Sequence, residues 1–272
     1  MLSSSASAAP RDTAPVQTIE LLALASAVAF VLVGATVGAK LLWLARRTRA
    51  LPETLVGAAL FLLAAVAWPL LLIVSAPQPP PGLVLRIGWA GASLALALGW
   101  SGVFLFTWRV FRPGPGWGRW LAGLGISVEL AAGLAGVVRA VGLVDPLELR
   151  VASASGLVLL LGAQAVYLWT ALESFRYRAL LRRRVPLGLA DPLVADRFGL
   201  WGWSGVFGFG SIAPAVLAQL SGGDPNSLAS HLVVAACGLL SSAALYVAFL
   251  PPEAYVRFVR AQSPSPALEE AV

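Results

Sequence analysis

Residues 119–143 read RWLAGLGISVELAAGLAGVVRAVGL. Between Arg119 and Arg139 there is one ionisable side chain, Glu129. A hydrocarbon core about 30 Å thick is crossed by roughly 20 apolar residues in a helix. This stretch is long enough, and its side chains are not distributed at random. At helical spacing Gly118, Ala122, Gly125, Glu129, Ala132, Gly133, Gly136 and Ala140 fall on one stripe, while Leu and Val occupy much of the rest. Small residues let a neighbouring helix approach closely, so the stripe is expected to face protein and the Leu/Val side to face lipid.

The rest of the chain repeats this pattern. Seven apolar segments stand out, at about 17–43, 54–76, 83–108, 119–143, 151–173, 197–220 and 227–250. Of the 272 residues, 58% are hydrophobic and 12% charged, and the mean hydropathy is +0.82. Soluble domains carry about 25% charged residues. The chain therefore cannot cover a water-facing surface, and bilayer lipid must be its main solvent. The fold class expected is all-α: a polytopic membrane protein with a single bundle of seven transmembrane helices over 17–260. Residues 1–16 and 261–272 are expected to be disordered tails. One cysteine, Cys237, and one histidine, His231, exclude an intrachain disulfide, Cys-based metal sites and bis-histidine haem. No cofactor is expected, and the net charge of +6 points to anionic lipid rather than nucleic acid.

Direction follows from Lys and Arg in the short loops. Fifteen of the 19 basic residues lie in the odd-numbered loops and after the last span, from Lys40 to Arg260; Arg11, Arg86, Arg139 and Arg150 lie on the other side. The N-terminus is expected outside and the C-terminus in the cytoplasm, in a bacterial inner membrane. Trp43, Trp108, Trp117, Trp120, Trp169, Trp201 and Trp203 are expected to form an inner interfacial belt.

Glu129 lies near the midplane, where an ionised carboxylate is costly, so it is a functional candidate. Ser93, Gln164, Ser211 and Ser241 lie at comparable depth on other spans. Gln164 is the preferred partner, because its amide can donate to a carboxylate. Three readings stay open: packing glue with a protonated Glu129 locked to Gln164, a polar floor for a small ligand, and a proton or ion relay. Lys40, Arg86 and Arg139 are expected to snorkel. Pro69 and Pro214 are expected to break spans 2 and 6.

The hexapeptide GWSGVF occurs at 99–104 and again at 202–207. A Gly-x-Ser-Gly in a membrane invites comparison with intramembrane serine proteases. However, Ser101 and Ser204 fall in the inner half, and His231 near the outer edge. A separation of roughly 15 Å is far beyond hydrogen-bond reach of a base. Close helix packing is the expected role, and no catalytic residue is assigned.

The loop after span 5 reads ESFRYRALLRRRVPLGLADPLVADRF. Span 5 is expected to continue as a helix to near Pro186, with a new helix capped by Asp191 and opened by Pro192. Arg176, Arg178, Arg182, Arg183 and Arg184 make it a candidate contact for the anionic inner leaflet, or for a cytoplasmic protein partner at 174–197. This loop, and FLPPEAYVRFVR at 249–260, resemble uncharacterised bacterial seven-helix membrane proteins and the seven-helix sensor regions of bacterial signalling enzymes. In such sensors the last helix leads into a kinase or cyclase. The chain stops instead, so any output is expected through a separate partner. Length and topology are also similar to microbial rhodopsins. That family needs a lysine in span 7, and Lys40 is the only lysine here. Pro77–Gln78 lies in a loop rather than within a span, which excludes the PQ-loop transporters.

The expectation is a non-enzymatic, receptor-like or sensor-like protein that binds a small or lipidic ligand. A small-solute transporter or channel, and a structural subunit of a larger complex, remain alternatives, as does a homo-oligomer.

Overall fold

The structure is a computed structural model that describes residues 14–76, 78, 80–114, 116–142, 153–223 and 227–262, with side chains from residue 21 onward. Most of both expected tails lies outside the described residues; where they are described, residues 14–16 and 261 are helical.

Among the described residues the regular structure is all helical, with no strand. Helix α1 spans Ala14–Thr48. The second apolar segment is α2 (Leu51–Phe61), a π-helical turn at Leu62–Ala67 and α3 (Trp68–Val74). Then follow α4 (Gly82–Phe111), α5 (Trp117–Val141), α6 (Ala154–Arg184), α7 (Pro192–Ser221) and α8 (Leu228–Phe249). A short α9 (Glu253–Ala261) closes the described chain. Seven helical segments are long and apolar enough to cross a membrane.

Local chemistry sets the helix ends. The Asp191 carboxylate accepts from the Leu193 N–H at 2.8 Å, and Pro192 occupies the first turn, as expected. Ser153 and Ser227 cap α6 and α8 in the same way. Helix α6 runs to Arg184 and tightens into a 3₁₀ turn over Val185–Leu187. Gly188, at φ 68°, then reverses the chain in the left-handed region that suits glycine. Arg86 does more than snorkel: from α4 it donates to the carbonyls of Ala140, at 3.4 Å, and Gly142, satisfying the end of α5.

The two prolines behave differently. Pro69 lacks an N–H, and its ring crowds the carbonyl four residues earlier. The helix widens into its π turn immediately before it. Pro214 was expected to break span 6, but α7 continues through it unbroken. Packed membrane helices tolerate proline because neighbouring groups re-satisfy the freed backbone.

Neighbouring spans pack in chain order, and α1 packs against α8, so the seven form a closed ring. Helix α4 also touches α6 across the middle. At that crossing Thr107 and Thr170 share a 2.7 Å hydrogen bond, and the rings of Trp100 and Tyr167 meet edge to face at 5.0 Å. The α5 stripe is turned inward as expected. Gly118, Ala122, Glu129, Ala132, Gly133 and Ala140 are buried, whereas Leu124, Leu134 and Val138 are exposed. In water that outer face would be a large adhesive patch; in lipid it is a solvated one.

Candidate functional site

Glu129 is completely buried at the middle of α5, and neither carboxylate oxygen has a hydrogen-bond partner among the described residues. Its carboxyl lies against Gly162 of α6, in the space a Cβ at that position would need. The expected pairing with Gln164 is not formed. The Gln164 side-chain oxygen is itself buried without a partner among the described residues. The reason is rotational. Two residues along a helix turn it by about 200°, so the face of α6 that presents Gly162 to Glu129 carries Gln164 away. Ser93 packs two turns further along α5, its Oγ 2.6 Å from where a Cβ on Gly136 would sit.

Ser211 and Ser241 belong to a different part of the bundle. They line a cavity of about 70 Å³ between α1, α3, α6, α7 and α8, with Ala27, Phe30, Trp68 and Tyr167. A second cavity of about 40 Å³ shares Phe30, Tyr167 and Ser241 with the first. It adds Trp100, Thr170, Trp201 and Ser204. Trp201 in turn lines a third cavity, of about 450 Å³, at the arginine-rich end. The five mid-depth candidates therefore do not converge. Glu129 and Gln164 are buried on the α5/α6 side, and Ser93 packs between α4 and α5. The two serines stand in a file of cavities beside α1 and α8. No hydropathy signal marked Phe30, Tyr167 or Trp201, because an aromatic residue lining a cavity reads like one packed in a core.

The repeated hexapeptide is part of this packing. A Cβ on Gly102 would touch Ala59 at 3.0 Å, and one on Gly205 would meet the Tyr167 carbonyl at 3.1 Å. The Ser204 hydroxyl pairs with Ser241 at 3.2 Å, and Ser241 also donates to the Ser204 carbonyl at 2.9 Å. The Ser101 hydroxyl is buried without a partner among the described residues. Among the described residues His231 bonds to neither serine.

The arginine-rich end is more ordered by ion pairs than its sequence suggests. Arg112 reaches Glu173 at 2.7 Å, with Arg176 more distant at 4.0 Å. Arg178 and Arg182 converge on Asp196 at 3.1 and 3.7 Å. The Arg178 guanidinium lies over Gly199, where a Cβ would collide with its Nε at 2.6 Å. The Tyr255 hydroxyl donates to the other Asp196 oxygen and ties α9 to this cluster. Burial first, then the hydrogen bond and charge of Asp196, push the Tyr255 hydroxyl well above its ordinary pKa, while Arg178 and Arg197 oppose that shift. Of the five candidate arginines, Arg178 and Arg182 are thus committed within the chain. Arg183 and Arg184 are exposed and form no ion pair among the described residues. Sequence reading missed Glu173, Asp196 and Tyr255, whose roles depend on which helices meet.

The tryptophan belt is partial. Trp43, Trp117, Trp120 and Trp203 are exposed, but Trp169 is buried. Arg47, Arg109, Arg112 and Arg119 sit over Trp43, Trp108, Trp117 and Trp120, within cation–π range.

Among the described residues no three His, Cys, Asp or Glu side chains gather as a metal site would require. No family model matches the chain, and no curated protein or solved structure matches it either.

Proposed function

We propose that this is a non-enzymatic, receptor-like membrane protein that takes a small or lipidic ligand into its bundle and acts through a separate partner. The file of cavities beside α1 and α8 carries this reading. A well-packed interior leaves few voids larger than a water molecule. Here two adjoining spaces share Phe30, Tyr167 and Ser241, and hydroxyls of Ser26, Ser204, Ser211 and Thr170 line them. Each has room for only a few water-sized groups, which suits a very small molecule or the tip of a lipid chain. In this reading the arginine-rich loops face the cytoplasm of a bacterial cell, by the excess of basic residues there. Arg183 and Arg184 are then the side chains left to meet a partner or the anionic leaflet.

The test is native mass spectrometry of the protein released from its own membrane. The account expects a retained non-protein mass on the wild type. Ala27→Phe, which fills the first cavity, should remove that mass without unfolding the chain. A wild type that retains nothing contradicts the reading.

One observation favours a second reading, a small-solute transporter. Neighbouring cavities share lining residues, and Trp201 lines both the middle one and the inner one. That reading requires solute flux in proteoliposomes, which a receptor does not provide.

A further inference from the structure

The inner cavity, of about 450 Å³, falls in the range of about 300–1,000 Å³ typical of small-molecule sites. Helices α1, α2, α4, α7 and α8 line it and leave it partly open. Its body is apolar, with Val56, Phe106 and Trp201 among the walls. Three charged residues also line it: Lys40, Glu53 and Arg197.

The pairing of these charges is what matters. At this end of the bundle Arg112, Arg176, Arg178 and Arg182 each have a carboxylate. Arg197 and Lys40 form no ion pair among the described residues. The Arg197 Nε is buried with no hydrogen-bond partner among the described residues. Its field reaches Tyr255, yet it bonds to no described residue. The carboxylate nearest in sequence, Asp196, is already shared by Arg178, Arg182 and Tyr255. The Trp201 indole N–H is likewise buried and has no partner among the described residues. Glu53 has one buried oxygen without a donor among the described residues. Two cations and one carboxylate leave the lining with one net positive charge. An unpaired buried donor is costly, and an arginine fork matches a carboxylate or phosphate in shape.

We propose that this cavity binds an amphipathic anion, whose carboxylate or phosphate is taken by Arg197 and Lys40 and whose hydrocarbon body lies against Val56, Phe106 and Trp201. It is a second site, sharing Trp201 with the middle cavity, and it stands whether or not the central cavities hold a ligand. The anion has two sources, a free long-chain carboxylate or the head of an anionic bilayer lipid.

The experiment uses the full chain in phosphatidylcholine nanodiscs, with dodecanoate as the soluble probe. Binding is read by native mass spectrometry and calorimetry. A parallel set of nanodiscs contains phosphatidylglycerol. Saturable dodecanoate binding that phosphatidylglycerol leaves unchanged supports the free-carboxylate source. Retention of phosphatidylglycerol, with dodecanoate displaced, supports the lipid source. In either case Arg197→Gln should weaken binding at least about tenfold, the scale of a charge-assisted hydrogen bond. Arg260→Gln, on the exposed side of α9 and away from the cavity lining, should leave it unchanged. Val194→Trp, placed at the exposed rim of the cavity, should block entry without touching a charge, and it decides the matter if Arg197→Gln does not fold. Failure of the wild type to bind either probe, or full binding by Arg197→Gln or Val194→Trp, overturns the proposal.

Discussion

Arg112, one residue beyond α4, holds the Glu173 carboxylate of α6 at 2.7 Å. The Glu173 side chain is 8% exposed and that of Arg112 29%, so the carboxylate is the partner that would be stranded. Arg176, at 4.0 Å and 58% exposed, cannot replace it. Arg112→Ala is expected to cost about 1–3 kcal/mol, and Arg176→Ala less than about 0.5 kcal/mol. Unfolding of the two variants in mild detergent measures the difference. Equal losses would contradict the assignment.

Glu129 and Gly162 occupy one another's space. Gly162→Ala should crowd the carboxyl and destabilise the bundle by about 1–3 kcal/mol. Glu129→Ala makes room, so the double variant should recover much of that loss. Glu129→Gln preserves the volume and should fold as the wild type does. If Gly162→Ala costs as much in the Glu129→Ala background as alone, the two residues do not touch.

Tyr255, on α9 beyond the last span, anchors that helix through Asp196. Its raised pKa means that the folded protein favours the protonated hydroxyl. The stabilisation is therefore complete below the ordinary tyrosine value of about 10 and is lost as pH rises through the higher folded-state value. Hydrogen exchange over residues 253–261 should stay slow from neutral pH up to about pH 10, once corrected for intrinsic rates. Tyr255→Phe should speed it at every pH by the loss of about 1 kcal/mol. Unchanged protection in Tyr255→Phe would mean that α9 is held by its apolar face alone.

The loop arginines divide into two groups. Arg183→Lys with Arg184→Lys retains charge but removes the planar fork. The double variant is expected to insert normally and to lose co-purification with a cytoplasmic partner. If a partner is found and the variant retains it fully, the pair serves only as an electrostatic anchor to lipid.

Much of the fold is legible in the sequence because lipid imposes a length and a composition on each span. The Asp191–Pro192 helix start and the small-residue face of α5 were both readable from local pattern. The run of α6 past its apolar window to Arg184, just before Pro186, was readable too, whereas α4 continues to Phe111, past the window ending near 108, because backbone hydrogen bonds do not stop where lipid does. The pairing of Glu129 with Gln164 failed for another reason. Depth is one-dimensional and can be counted, whereas the rotation of α6 against α5 is set by packing. The same applies to Asp196, whose three partners come from α6 and α9. The cavities depend on side chains from four or more helical segments each, and no single segment carries their signature.

The account rests on seven crossings with the arginine-rich loops on one side, and two-sided labelling tests this most directly. Single cysteines are placed at Ser4 and at Asp224 in a Cys237→Ser background, and a reporter is fused after Val272. An impermeant maleimide should reach both cysteines from outside intact cells, and the reporter should behave as cytoplasmic. Labelling of both positions only after the inner face is exposed would invert the topology and remove the basis for placing the partner at Arg183 and Arg184.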